Sequence, residues 1–227
     1  MGEPDNTYKI AGNRLLGEVW LQDRWGILSL KILRFDITSR ILHWSHALVF
    51  FWLFITGIAL FFTSKSLLNN PFIRLAHLYA SLPFILIYIL IFFYWNVSVR
   101  NDVKELMEWT NDDINWFMDL FKKNKADVKG KFNGGQKANF LVILILITGF
   151  ILTGFVIWMK SMFSRSFVEL NFIIHDSLVI LSVLLLSGHI TLALYYSESL
   201  KSILFGTVDA SWAKKHYLNW FLKENKD

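Results

Sequence analysis

His175 and His189 stand fourteen residues apart in an otherwise apolar run, residues 173–196. On an α-helix that interval rises ~21 Å and brings the second ring back to within roughly 40° of the first. A helix of this length can cross the hydrocarbon of a bilayer. It would hold one imidazole near each membrane face, both aimed into the same side of a bundle. Imidazole is a good ligand for transition metals, and ionisable groups inside membrane segments are costly and tend to be functional. The chemistry suggested is metal binding at two depths, with a partner needed for each ring.

Those partners come from earlier apolar runs. His43 opens the first, and His77 opens the second. Alternating helix directions place His77 at the depth of His175 and His43 at the depth of His189. Two bis-imidazole sites stacked across a helical bundle are what a dihaem b-type cytochrome requires. His46, three residues after His43, is ~4.5 Å deeper on the helix and roughly 60° around, so it competes with His43 for the inner position. His216 lies in a basic tail and reads as a surface residue. Arg40 precedes His43 by three residues, and Arg74 precedes His77 by three. At that spacing each guanidinium lies about one turn nearer the membrane edge on nearly the same face. It could bind a haem propionate in fork geometry, or only snorkel to the interface. Gly57, Gly149, Gly154 and Gly188 allow a flat macrocycle, or simply a neighbouring helix, to come close.

The chain has four apolar spans, residues 41–62, 75–95, 140–159 and 170–196, and all but the third carry these histidines. Of the 227 residues, 54% are hydrophobic, and the mean hydropathy is +0.41. The expected fold is all-α, an integral membrane four-helix bundle spanning residues 40–196. Residues 1–39 form a polar or interfacial arm without the features of a signal peptide. Residues 96–137 are polar, and Leu106, Trp109, Trp116, Phe117, Leu120 and Phe121 within them suggest an amphipathic surface helix. Residues 197–227 form a basic tail.

The +5 net charge follows topology. The N-terminal arm, the middle loop and the tail hold 19 of the 23 Lys and Arg residues, leaving only Lys65, Arg74, Lys160 and Arg165 in the other two loops. Both termini are therefore expected in the cytoplasm, with the chain multi-pass in the inner membrane, and nucleic acid is not an expected partner. There is no cysteine, so any iron–sulfur cluster in a working assembly belongs to another subunit.

Several segments together resemble the cytochrome b (gamma) subunit of respiratory formate dehydrogenases. They are Arg40-Ile-Leu-His43-Trp44, Arg74-Leu-Ala-His77, Lys131-Phe-Asn-Gly-Gly-Gln-Lys137, the His175/His189 spacing and Ser211-Trp-Ala-Lys-Lys-His216. The histidines alone would also suit the related cytochromes b of nickel-iron hydrogenases. The resemblance implies two haem b groups, His43 and His189 holding the inner one and His77 and His175 the outer. It implies an iron–sulfur (beta) subunit and a molybdenum or tungsten catalytic (alpha) subunit as partners, in a higher oligomer of the heterotrimer. It also implies electron delivery to menaquinone or ubiquinone, with no substrate oxidation by this chain alone. The implied quinone site comprises Asn133, Gly135, Gln136, Lys137 and His189. The residue chemistry is compatible: Asn133 offers a donor and an acceptor, and Gly134 and Gly135 permit close backbone approach. Without the resemblance, Asn-Gly-Gly would read as a helix-entry turn.

Overall fold

The computed structural model describes residues 21–22, 28–62, 71–93, 96–122 and 128–224. Its frame is four long helices: α1 (Ile37–Phe62), α2 (Pro71–Phe93), α5 (Gly134–Trp158) and α6 (Arg165–Tyr195). Between α2 and α5 lie α3 (Val97–Met107) and α4 (Asn111–Lys122). After α6 come α7 (Ser197–Phe205), α8 (Ala210–His216) and α9 (Leu218–Glu224). Among the described residues α1, α5 and α6 are long and apolar enough to cross a membrane. The apolar part of α2 within Pro71–Ile87 is shorter. α1 packs along α2, and α5 along α6, while direct contact between the two pairs is sparse.

The helices begin earlier than the apolar runs because their caps lie in polar sequence. α5 starts six residues ahead of residue 140, where a reciprocal capping box closes on it. Asn133 Oδ1 accepts from Gln136 N at 2.9 Å, and Gln136 Oε1 accepts from Asn133 N at 3.1 Å, so two otherwise orphaned donors are satisfied. α6 starts at Arg165 behind the Ser164 cap. α2 opens on Pro71, whose missing N–H costs nothing in a first turn, and continues through Pro83.

Three details go beyond the expectations. The chain is mostly helical, as expected, and two short antiparallel ladders stand beside the helices. β1 (Leu21–Gln22) pairs with β2 (Leu28–Ser29), and β3 (Lys31–Leu33) with β4 (Thr207–Asp209). The polar stretch expected to hold one surface helix holds two, broken at residues 108–110; Phe121 falls in α4, and residues 123–127 lie outside the described set. The arm and tail, expected to be polar extensions, meet in a packed cap. Val208, Ala213, Tyr217 and Trp220 are its buried centre, with Ile32, Val128, Trp212 and Phe221 against them.

Arg34 pins this cap to the loop before α5. It is 3% exposed, and its Nη2 donates to Lys131 O at 2.8 Å. Its guanidinium lies 4.4 Å from the Tyr217 ring centroid and 5.2 Å from that of Trp212. Desolvated cation–π contacts of this kind stabilise by about 2 kcal/mol. Lys131 in turn donates to both carboxylate oxygens of Asp102 on α3, at 2.6 and 2.7 Å. Gly206 makes the turn between α7 and β4 at φ 89°, and its carbonyl accepts from Arg34 N and Phe35 N at 2.8 and 3.0 Å. A Cβ there would lie 2.8 Å from the Phe35 carbonyl oxygen. Gly206→Ala should therefore destabilise the cap by about 1–2 kcal/mol or more. The check is a lower unfolding temperature of the purified protein and faster proteolysis within residues 197–224.

Candidate functional site

The long helices bring four of the six histidines together in two pairs. The His43 and His189 ring centroids are 6.4 Å apart, at 43° between planes, joining α1 to α6. Those of His77 and His175 are 6.5 Å apart at 69°, joining α2 to α6. A metal bonded to one nitrogen of each of two imidazoles at ~2.0–2.1 Å sets their centroids roughly 6.3–6.5 Å apart. Both pairs have that separation. Among the described residues no group of three or more His, Asp or Glu is placed to cage an ion. Two facing imidazoles are the axial ligand set that a b-type haem takes.

His46 turns the other way. Its ring stacks on Phe84 of α2 at 5.0 Å and on Phe50 at 6.4 Å. The ring that meets His189 is that of His43. His216 lies in the cap, 5.3 Å from the Trp212 ring.

Two residues not singled out above touch the outer pair. Thr56 Oγ1 lies 2.8 Å from His77 Nδ1, and Thr153 Oγ1 lies 2.8 Å from His175 Nδ1. The sequence carries only a weak signal for them: Thr-Gly dipeptides occur at Thr56-Gly57, Thr148-Gly149 and Thr153-Gly154, and the Thr148 hydroxyl donates to Leu144 O. Gly57 and Gly154 leave room for the same rings: a Cβ would meet His77 Cε1 at 3.4 Å and His175 Cε1 at 3.7 Å. Gly149 instead admits Leu178, and around Gly188 a Cβ would meet nothing within 4 Å.

The arginines are placed unequally. Arg74 is exposed on the first turn of α2. Arg40 Nη1 donates to Leu204 O at 3.0 Å, satisfying a carbonyl at the end of α7. Its Nε is buried without a hydrogen-bond partner.

Asn133, Gln136 and Lys137 already serve the fold. Asn133 and Gln136 cap α5, and Asn133 Nδ2 makes one long contact, 3.4 Å, to the Tyr217 hydroxyl. Lys137 donates to Asp113 Oδ2 at 2.8 Å and to Glu108 O at 2.9 Å. The two glycines admit α4: a Cβ on Gly134 would lie 2.5 Å from Asp113 O, and one on Gly135 2.7 Å from Trp116 Cη2. Beside the motif is a cleft of about 190 Å³ with Glu105, Glu108, Asp112 and Trp116 in its lining. It is smaller than the ~300 Å³ lower bound of usual ligand pockets, and its carboxylates suit water better than an apolar ring. Asn133 and His189 share one end of the α5–α6 pair. Thr153 faces His175 and Gly149 faces Leu178, so antiparallel register sets His189 near residue 139. That is roughly 9 Å along the axis from Asn133.

Residues 34–206 match the family described as prokaryotic cytochrome b561. The chain belongs to that family. Relatives of this cytochrome b561 chain include the formate dehydrogenase cytochrome b556 subunit of Haemophilus influenzae. It is 28% identical over 209 residues, covering 86% of this chain and 84% of the relative. Two Escherichia coli subunits are also similar. The nitrate-inducible formate dehydrogenase cytochrome b556(Fdn) subunit is 27% identical, with 87% of this chain and 94% of the relative covered. The formate dehydrogenase cytochrome b556(fdo) subunit is 25% identical, with 86% and 94% covered. Family and relatives support a membrane cytochrome b electron-transfer subunit, and cytochrome b membership implies haem b.

The Asp113–Lys137 contact gives a pH test. Burial pushes the Asp113 carboxyl up, but hydrogen bonds from Lys137 and from the Thr110 N–H and hydroxyl outweigh it, so the net shift is downward. A carboxylate lowered on folding stabilises fully above its unfolded value of ~3.9 and loses that contribution as pH falls through the folded value. The α4–α5 contact should therefore loosen below about pH 4. Hydrogen exchange of residues 111–122 should rise on acidification in the native chain, and Asp113→Asn should be loose already at pH 7 with little further response.

Proposed function

We propose that this chain is the dihaem membrane subunit that passes electrons from the iron–sulfur subunit of a formate dehydrogenase to quinone. The observation that carries the reading is the pair of imidazole couples at metal-bridging separation, both anchored on α6. Haem b held there would supply one-electron transfer between ferrous and ferric iron. His77 and His175 would hold the outer haem b, and His43 and His189 the inner. His46 stacks on Phe84 and would not be a ligand. Arg74 would bind the outer propionates, and Arg40 the inner ones. The four long helices cross the inner membrane, with the cap and α3–α4 on the cytoplasmic side.

The quinone site lies between the start of α5 and His189. Asn133 is its donor, because Nδ2 makes only the long contact to Tyr217 while Oδ1 caps the helix. Gly135 lets the Trp116 ring lie against the start of α5. Gln136 and Lys137 act by holding Asn133 and α4 in place. The partners are the iron–sulfur and the molybdenum or tungsten subunits, in a higher oligomer of the heterotrimer. Menaquinone or ubiquinone is the acceptor.

Haem quantitation on the purified complex tests this, with identification of its co-purifying subunits. Two haem b per chain are expected. His77→Ala or His175→Ala should remove one haem, His43→Ala or His189→Ala the other, and His46→Ala neither. A preparation without a b-type α-band rejects the reading, one haem per chain rejects the two-site form, and a co-purifying nickel-iron pair reassigns the partner. Asn133→Ala should slow quinone turnover roughly tenfold, about one hydrogen bond's contribution, with both haem spectra intact.

A further inference from the structure

We propose that Thr56 and Thr153 are positioning residues whose hydroxyls accept the Nδ1 protons of His77 and His175, so that both outer rings present Nε2 to iron. The inference rests on the dihaem reading above. Its warrant is the count of hydrogens around each threonine. Thr56 Oγ1 lies 2.8 Å from Trp52 O, 3.1 Å from Leu53 O and 2.8 Å from His77 Nδ1, and the Leu53 carbonyl is a further acceptor for the His77 ring N–H. Thr153 Oγ1 lies 2.7 Å from Gly149 O and 2.8 Å from His175 Nδ1. Two oxygens this close need a hydrogen between them. The hydroxyl has one hydrogen to give, and it goes to the carbonyl four residues back. The second short contact then needs a hydrogen from the ring, so Nδ1 is the protonated nitrogen. Nε2 keeps its lone pair, and the ring cannot rotate without breaking the contact.

The same device occurs twice. Thr56-Gly57 sits on α1 against α2, and Thr153-Gly154 on α5 against α6. In each, threonine fixes Nδ1 and glycine gives space to Cε1 of the same ring. No hydroxyl of a described residue hydrogen-bonds to His43 or His189. A ring that donates its distal N–H is a more basic ligand. More basic ligands favour ferric iron, so the threonines lower the potential of the outer haem. That polarity favours electron movement from the outer site to the inner one.

The experiment is spectroelectrochemical titration of the full complex carrying Thr56→Val, Thr153→Val, Thr56→Ser or Thr153→Ser, with haem content measured on each preparation. Each valine variant should raise one of the two midpoint potentials and leave the other in place, and the two together should shift it further. Each serine variant should stay near the parent, because it keeps the hydroxyl. Loss of one haem in the valine variants, with retention in the serine variants, supports the proposal equally. Unchanged potentials in the valine variants overturn it. So does a serine variant displaced as far as its valine counterpart, or losing haem as readily, since the methyl group would then be the part that matters. A parent complex without haem rejects the dihaem reading itself, and is told apart by its spectrum before any variant is made.

Discussion

Everything in this fold answers to one geometric demand, that a single helix present two imidazoles to the same side at two depths. The fourteen-residue interval on α6 sets both the ~21 Å rise and the shared face. α1 and α2 must then each deliver one ring at a matching height. They do so because the chain reverses between them, so that His43 and His77, both near helix starts, arrive at opposite ends. The apolar helix surfaces serve the same demand. Within the apolar windows of α1 and α6 almost no residue is buried by the chain itself. Such surfaces are stable only where lipid, a prosthetic group or partner helices replace water.

A second constraint acts at the opening of α5, where one short motif holds the helix start to α4. Asn133 and Gln136 satisfy each other's backbone donors, Lys137 neutralises Asp113 in a buried contact, and both glycines are crowded by α4. Removing one partner of a buried ion pair typically costs about 3–5 kcal/mol. Substitutions at Lys137 thus report on the frame as much as on any ligand. Asn133 differs from its neighbours because part of its amide is not committed to the helix cap.

The sequence made the long helices and the pairing of the histidine rings legible, because apolar runs of this length and histidines at fixed helical intervals have few readings. It left His43 and His46 open. Three residues of helix cannot say which ring turns inward, and that follows from how α1 packs on α2, where Phe84 takes His46. The cap was not legible. β3 and β4 are three residues each, too short for a periodic signal, and their partnership joins distant parts of the chain. Arg34 read as one more positive charge in a topology count, yet it is enclosed by aromatic rings. The threonines escaped notice because hydroxyls are common in membrane helices, and the Thr-Gly dipeptide that they share also occurs at Thr148-Gly149, which faces Leu178.

The ladder between β3 and β4 also imposes an order of assembly. Lys31 cannot meet Asp209 until the ribosome has made nearly all of what separates them, and closing so large a loop is slow. The helices bearing the histidines are synthesised before that closure. The ladder is therefore among the last contacts that the chain can complete, and it fastens the two distant ends only after the helices between them exist.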